Sequence, residues 1–248
     1  MEPQKIVSFG FRCSSAAILK KLNLKTESYP FDWLISDLPV IQNCLTDDFK
    51  EFLNVENYQR KYSNTYEMAD STQGFICDEH LMVNMFYQPS EQKDVENTYQ
   101  YKLAMNHHNI TETKDHEYYS RCVDRMRDFI NSDNKKFYLH ICRLITLERY
   151  EREQEDILNK LTQFDDFVVS HVKGSLKGLI FILVKNTSDE KTLDEEWKII
   201  HHSKTTKTKI FVIYTNNRFI DAGEEFMGNC KDETEIIKTI INTNYWNL

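Results

Sequence analysis

Residues 5–22 read KIVSFGFRCSSAAILKKL, and they carry the first evidence on the fold. Residues 5–9 are a short apolar run that ends at Gly10, which is typical of a buried β-strand followed by a turn. Residues 14–22 place Ala, Ile and Leu at the spacing of a helix that is buried on one face. The chain is therefore predicted to open with a strand, a turn and a helix.

Strands and helices continue to alternate along the rest of the chain. The pattern predicts strands at 81–87, 136–142, 167–171, 179–184 and 209–214, and helices at 38–45, 47–53, 117–130, 147–163, 192–200 and 232–242. Residues 29–34, which include Pro30, are expected to form an extended aromatic connection. Because several strands are continuously apolar, we predict one α/β domain over residues 1–248, with a mainly parallel, doubly wound sheet and helices on both faces.

Composition and charge exclude several classes of partner. The 248 residues are 40% hydrophobic and carry a formal net charge of −8, which argues against nucleic acid as a partner. No apolar run approaches the roughly 18 residues of a membrane span, and no secretory signal opens the chain, so we expect a soluble, cytoplasmic protein without a membrane partner. The 6 cysteines are scattered and lack zinc-site spacing, which predicts reduced thiols, no metal site and no cofactor.

Cys13 is the first candidate for chemistry, because it is predicted to lie between the end of a strand and the start of a helix. Unsatisfied N–H groups and the helix dipole favour an anion at that position, and they lower the pKa of a cysteine. Arg12 adds a positive charge, and Ser14 can cap the helix or donate a hydrogen bond to a bound oxyanion. The alternative is that Cys13 is a small apolar residue that packs in the turn.

A nucleophilic cysteine needs a base, and the candidates are His107 and His108 in a polar segment. Two adjacent histidines in a loop can present one imidazole to a pocket, or both can be solvated. A third histidine, His140, alternates with apolar residues on a predicted strand, so we expect an interior or rim residue with satisfied hydrogen bonds. The residues alone leave the choice of base open.

Cys13 belongs to a set of four sequence motifs. The motifs are SFGFRCSSA (8–16), YPFDWL (29–34), the adjacent histidines, and RCVDR (121–125) ahead of Phe129. Together they resemble the family of putative papain-like cysteine peptidases, whose pattern has Leu-Gly-x-x-Cys-x-x-Ala, a Pro-Phe-Asp-Trp box, a His, and an Arg-rich helix that precedes a strand. Phe9 stands where Leu is usual, and Cys122 stands where a second Arg often occurs. The resemblance covers about residues 5–145.

The resemblance implies roles for several residues. Cys13 would be the nucleophile, His107 the first choice of base and His108 the second, and Asp32 would orient the base. The resemblance also implies an alternative fold, α+β and papain-like, in which the cysteine begins a long helix and a later antiparallel sheet supplies the histidine. Asp32 lies among aromatic residues, so it could instead be a turn device that is bonded to the backbone or paired with a cation.

Arg121, Arg125 and Trp33 complete the set of candidate residues. The two arginines lie one helical turn apart, so they could hold a carboxylate or phosphate together, or they could be solvated and paired with neighbouring aspartates. Trp33 is either a core residue or part of a substrate-binding surface with Arg12 and Ser14.

The leading hypothesis is a cysteine-dependent hydrolase or acyl transferase of the peptidase type, acting on a peptide, an amide or another small anionic substrate. A second hypothesis is an α/β transferase for a sugar or nucleotide, in which Cys13 only packs while the arginines and Asp32 bind the substrate. A third is a non-catalytic binding or host-interaction module. The chain has no P-loop, Gly-x-Gly-x-x-Gly, His-Glu-x-x-His or Gly-x-Ser-x-Gly motif, so nucleotide-loop, zincin and α/β-hydrolase functions lack support.

Overall fold

The computed structural model of the chain describes residues 5–10, 13–63, 79–89, 101–105, 107–142, 145–185, 199–202, 208–215 and 230–242. Its strands are β1 (Lys5–Ser8), β2 (Ile35–Ser36), β3 (Tyr58–Ser63), β4 (Glu79–Asn84), β5 (Leu103–Met105), β6 (Lys135–Ile141), β7 (Ile145–Thr146), β8 (Ser175–Lys185), β9 (Ile199–His202) and β10 (Thr208–Thr215). Its helices are α1 (Ser14–Lys21), α2 (Leu38–Thr46), α3 (Lys50–Leu53), α4 (Thr113–Asn131), α5 (Leu147–His171) and α6 (Cys230–Asn242).

Within these ranges, six strands form a mainly parallel sheet, called sheet A. Its order is β1-β6-β8-β10-β9, with β7 paired to β8. Strands β1, β6, β8 and β10 run parallel, and only β9 joins the sheet antiparallel among the described strands. Gly178 of β8 lies beside Tyr138 of β6, where a Cβ atom would overlap the tyrosine ring. The mainly parallel sheet that the apolar runs predict is confirmed.

Helices cover both faces of sheet A. Val7, Ile180 and Val212 share one hydrophobic core with the apolar sides of α4 and α5. The alternate strand positions, such as Ile6 and Phe181, form a second core with α1 and α6. Both faces of the strands are therefore buried, which is the physical reason why these strands lack a polar alternation in the sequence.

A second sheet, sheet B, is antiparallel and has the order β2-β5-β4-β3. Leu103 and Met105 of β5 join the main core between the two sheets. On the opposite face of sheet B, Ile35, Val83 and Ala104 form a small separate cluster. The apolar pattern alone did not predict this layer, whereas the α+β alternative implied by the resemblance includes an antiparallel sheet. The molecule combines a parallel, helix-covered sheet with an antiparallel one.

Three predictions about local structure are wrong. Residues 167–171 are not a strand but the last turns of α5, because Leu161, Phe164 and Val168 are buried at helical spacing. The connection at residues 29–34 is not extended, since the Asp32 N–H donates to the Tyr29 carbonyl at 3.3 Å and closes a turn. The helix predicted at 192–200 is wrong at residues 199 and 200, which belong to the strand β9, while residues 192–198 lie outside the described ranges.

None of the helices in the described part of the chain is both long enough and apolar enough to cross a membrane.

Candidate active site

Cys13 immediately precedes α1, and its backbone already has helical dihedral angles, with φ −60° and ψ −14°. Its carbonyl accepts a hydrogen bond from the Ala17 N–H at 2.8 Å, which is the first bond of the helical ladder. The N–H groups of the first turn have no partner within the helix and carry its positive dipole end. The thiol is 2% exposed, so it sits at this positive end in a nearly closed environment.

Hydrogen bonds hold the turn before Cys13 on two sides. On the side of sheet A, the Phe9 N–H donates to the Leu139 carbonyl at 2.9 Å, and His140 Nδ1 bonds the Phe9 carbonyl. On the side of sheet B, the Ser36 hydroxyl donates to the Gly10 carbonyl at 3.0 Å. Ser36 is 1% exposed, so this bond is shielded from water. Phe9 and Gly10, which follow β1, are therefore held between the two sheets.

His140 has the interior role that its alternation with apolar residues predicts. It is buried, and burial lowers its pKa to about 4 because the charged imidazolium is poorly solvated there. The ring is therefore neutral at pH 7, and its Nδ1–H serves as the donor to the Phe9 carbonyl. His140 therefore supports the backbone at Phe9 through this hydrogen bond and does not act as a base.

His107 lies two residues beyond the end of β5, so sheet B supplies it. Its Nε2 is 3.6 Å from Cys13 Sγ, although the two residues are 94 positions apart in sequence. The His107 side chain is exposed, in contrast to the thiol. A thiol and an imidazole at this distance can exchange a proton after a small closing movement, as is common for catalytic pairs without substrate.

His108 faces away from the thiol, because consecutive side chains in a loop point in different directions. Its Nδ1 is 3.1 Å from Asp115 Oδ1, and its ring stacks on Tyr118 with 4.9 Å between centroids and 17° between planes. The structure therefore brings His107 to Cys13 and leaves His108 against the start of α4.

Asp32 occupies a different place from the one that an orienting carboxylate would need. It is 1% exposed and accepts hydrogen bonds from the Ser8 hydroxyl at 2.5 Å, the Tyr29 N–H at 2.8 Å and the Lys25 ammonium. Burial raises its pKa, and Lys25 with the two hydrogen bonds opposes that rise. These bonds make Asp32 a buried turn device, which was the alternative drawn from the sequence; none of its bonds reaches a described histidine ring.

The arginines of α4 do not converge on one ligand position. Arg125 is half-buried and donates to the Ser28 carbonyl at 2.7 Å and to Cys122 Sγ at 3.0 Å, which ties α4 to the loop after α1. Arg121 is exposed and makes no hydrogen bond or ion pair with a described residue. The expectation of a joint carboxylate or phosphate clamp therefore finds no support in their placement.

The remaining candidates lie close to the turn in sequence. Ser14 is the first residue of α1 and is half-buried, and Trp33 is half-buried with the Lys25 ammonium 6.0 Å from its ring centre. Arg12 lies outside the described residues. In the part of the chain that the structure describes, no three His, Cys, Asp or Glu side chains come together in a way that could hold a metal ion.

Sequence reasoning missed two residues that shape the site. Ser36 gives no signal in sequence, because a serine in a two-residue strand has no recognisable pattern. Asp115 does give a weak signal: it follows the histidine pair and Asn109 and lies two residues before the helix predicted at 117–130, and acidic side chains near the start of a helix bind free N–H groups. Its bonds to His108 and to the Asn109 N–H appear only in the structure.

The fold and this geometry define a thiol and imidazole site at the end of the first strand of a parallel sheet, with the imidazole supplied from an antiparallel sheet. The family model described as putative papain-like cysteine peptidase matches residues 4–188, and the chain therefore belongs to this family. The match extends beyond the residues 5–145 that the motifs alone indicated. No curated protein and no solved structure matches the chain.

Proposed function

We propose that the protein is a cysteine-dependent hydrolase or acyl transferase of the peptidase type, with Cys13 as nucleophile and His107 as base. The observation that carries the proposal is the 3.6 Å contact between Cys13 Sγ and His107 Nε2. Membership of a family described as putative papain-like cysteine peptidases supports the reaction class.

The reaction starts with transfer of the thiol proton to His107 Nε2, which requires the neutral ring to carry its proton on Nδ1. The thiolate attacks the acyl carbon, and the carbonyl electrons move onto oxygen. When the C–N bond breaks, the leaving amine takes the proton from Nε2, and Cys13 holds the acyl group as a thioester. Water, deprotonated by His107, then releases a carboxylic acid and the free thiol; another nucleophile in place of water gives acyl transfer.

The start of α1 would stabilise the oxyanion in both steps. The N–H groups of its first turn point towards the end of the helix at which Cys13 lies, and the half-buried Ser14 hydroxyl is one residue away. Fixed donors of this kind gain strength in a site that excludes water. The same positive end of the helix favours the thiolate before attack.

The proposed substrates are a peptide, an amide or another small anionic molecule. Cys13 is nearly closed off, so small electrophiles are the first probes to test. The exposed Arg121 and the half-buried Trp33 are the described side chains that we propose for substrate contact. We propose a cytoplasmic location, where thiols such as Cys13, Cys44, Cys122 and Cys142, none of which forms a disulfide bond in the structure, stay reduced.

The alternative of a transferase that uses the arginines and Asp32 is less well supported. Arg125 already donates hydrogen bonds to Ser28 and Cys122 of the chain itself. Asp32 already accepts hydrogen bonds from Ser8, Lys25 and Tyr29. A role in packing alone also does not account for the contact between Cys13 Sγ and the exposed His107, which sheet B supplies.

The proposal is tested by measuring the rate at which iodoacetamide alkylates each cysteine over a range of pH, with mass spectrometry to assign the sites. We expect Cys13 to react fastest, with an apparent pKa below about 7. His107→Ala should shift the Cys13 profile to higher pH, and His108→Ala should shift it less. A Cys13 thiol that reacts as slowly as the buried Cys44, or a profile that His107→Ala leaves unchanged, would contradict the proposal.

A further inference from the structure

The segment 107–112 joins sheet B to α4 and carries His107 at its first described position. Asn109 gives this segment its internal shape: its side chain accepts from the Thr111 N–H at 3.2 Å and Thr111 hydroxyl at 2.7 Å, and donates to Glu112 at 2.9 Å. The Asn109 carbonyl also accepts from the Glu112 N–H at 2.9 Å. The segment is thus a compact turn with its own internal hydrogen bonds.

One carboxylate of α4 binds the compact turn at two positions. Asp115 Oδ1 is 3.1 Å from His108 Nδ1, and Asp115 Oδ2 accepts from the Asn109 N–H at 2.7 Å. These partners are the two residues that directly follow His107. The Asp115 side chain is 18% exposed, so solvent competes little for its oxygens. Desolvation opposes its ionisation, but the bonds from Asn109 and His108 keep the pKa of Asp115 below its usual range.

Packing adds to this attachment. The His108 ring stacks on Tyr118 and meets the edge of Tyr119 with 5.5 Å between centroids. Ile110 is fully buried in the main core. His107 is exposed and directly precedes these residues, so a change in their backbone also changes the position of His107.

We propose that Asp115 is the positioning residue for His107: by binding His108 and Asn109 together, it sets the imidazole at its distance from Cys13. This inference rests on the proposed function of the Cys13 and His107 pair. Proton transfer needs a heavy-atom distance of about 3 Å, and a displacement of about 1 Å can cost a hundredfold in rate. The bonds of Asp115 to the next two residues therefore act on the distance between His107 Nε2 and Cys13 Sγ.

The test compares Asp115→Ala with Asp115→Asn in the full chain. Asparagine keeps an oxygen for the Asn109 N–H and an amide group for the His108 ring, whereas alanine removes both bonds. Asp48→Ala is the matched control, because Asp48 binds Arg127 of the same helix, about 18 Å along its axis from Asp115. His108→Phe is a milder second variant that keeps a ring on Tyr118 but loses the bond to Asp115.

The first readout is the pH profile of Cys13 alkylation. We expect Asp115→Ala to slow the reaction at pH 7 at least tenfold and to move the profile towards that of His107→Ala. Asp115→Asn should stay within about threefold of wild type, His108→Phe should fall between the two, and Asp48→Ala should match wild type. If Asp115 only stabilised the start of α4, Asp115→Ala would lower the thermal stability and leave the pH profile of Cys13 alkylation unchanged.

The second readout measures the position of the His107 ring independently of any reaction at Cys13. The ring ¹³C–¹H NMR resonance of His107, followed in a Cys13→Ser background, reports where the imidazole lies without any thiol reaction. We expect Asp115→Ala to move it towards its position in the urea-unfolded chain. If that resonance and the alkylation profile stay at their wild-type values in Asp115→Ala and His108→Phe, the positioning role of Asp115 is wrong while the proposed function stands. If the resonance moves but Cys13 never depends on His107, the proposed function fails instead.

Discussion

Cys13 and His107 lie 3.6 Å apart, yet the chain holds them by different means. The turn before Cys13 is fixed by a backbone bond to Leu139 and by the buried side chains of His140 and Ser36. His107 is exposed and precedes a compact turn that Asp115 attaches to α4. Buried bonds hold the Cys13 side, whereas the His107 side depends on the part-buried Asp115 together with Ile110, which packs in the core.

This difference separates stability from reactivity. A substitution on the Cys13 side removes buried hydrogen bonds, so it should lower the free energy of unfolding together with the thiol reactivity. A substitution at Asp115 removes bonds nearer the surface, so it should lower the reactivity with a smaller effect on unfolding. Three substitutions on the Cys13 side test the first half of this comparison.

Asp32→Ala is expected to have the largest effect on stability. Asp32 binds Ser8 at the end of β1, and its removal leaves the Lys25 ammonium, whose side chain is 9% exposed, without its carboxylate. Removing one partner of a buried ion pair costs about 3–5 kcal/mol. Urea unfolding measures this loss, with Asp124→Ala as the control, since the Asp124 side chain also pairs with a cation but is 68% exposed. Equal losses in the two variants would refute the placement of Asp32 as a buried support.

Acid should weaken the Cys13 side through His140. Its pKa is about 4 in the folded protein against about 6.5 in the unfolded chain, so the unfolded chain takes up the proton first as the pH falls. The contribution of His140 is therefore complete above about pH 6.5 and is lost as the pH falls towards 4, by about 3 kcal/mol in total.

The measurement is the free energy of unfolding at several pH values in wild type and in His140→Gln, which keeps an N–H donor but does not titrate. The variant should lose less stability over this interval than wild type. Identical pH dependences in the two proteins would show that His140 is not buried as a neutral ring.

Ser36→Ala should have a smaller effect. It leaves the buried Gly10 carbonyl without the Ser36 hydroxyl, which costs about 1–3 kcal/mol. Cys13 alkylation should slow as well, because this bond joins the Cys13 turn to the sheet that carries His107. Ser170→Ala is the control: the Ser170 hydroxyl donates to the Phe167 carbonyl at 2.8 Å, but at an exposed position. If Ser36→Ala matches Ser170→Ala in both the free energy of unfolding and the rate of Cys13 alkylation, the supporting role of Ser36 is refuted.

The sequence predicted the elements whose burial leaves a simple pattern. β1, α1, β6, β8 and β10 follow from apolar runs and helical spacing, and the structure contains all of them within a few residues. Residues 167–171 were wrongly predicted as a strand, because Phe167, Val168 and Val169 favour strands in isolation. In the structure they continue the helical spacing of the buried positions before them. Of sheet B, the sequence predicted only β4, as the strand at 81–87, because β2 and β5 have two and three residues and give too few alternations to count.

The candidate site was predictable only in part, for a physical reason. A cysteine between strand and helix can be found from local sequence, and the family motifs add the two histidines. The choice of His107 over His108 depends on Asp115 and Tyr118, which orient the second ring. The role of Asp32 depends on Lys25 and Ser8, whose distances to it are tertiary facts.

The most direct test of the central claim is acyl transfer to Cys13 from a small activated ester such as p-nitrophenyl acetate, with the adduct located by peptide mass spectrometry. The account predicts an acetyl thioester on Cys13 that forms and turns over in wild type, none in Cys13→Ala, and at least a hundredfold slower reaction in His107→Ala. Acylation of Cys13 at the same rate in His107→Ala as in wild type would contradict it.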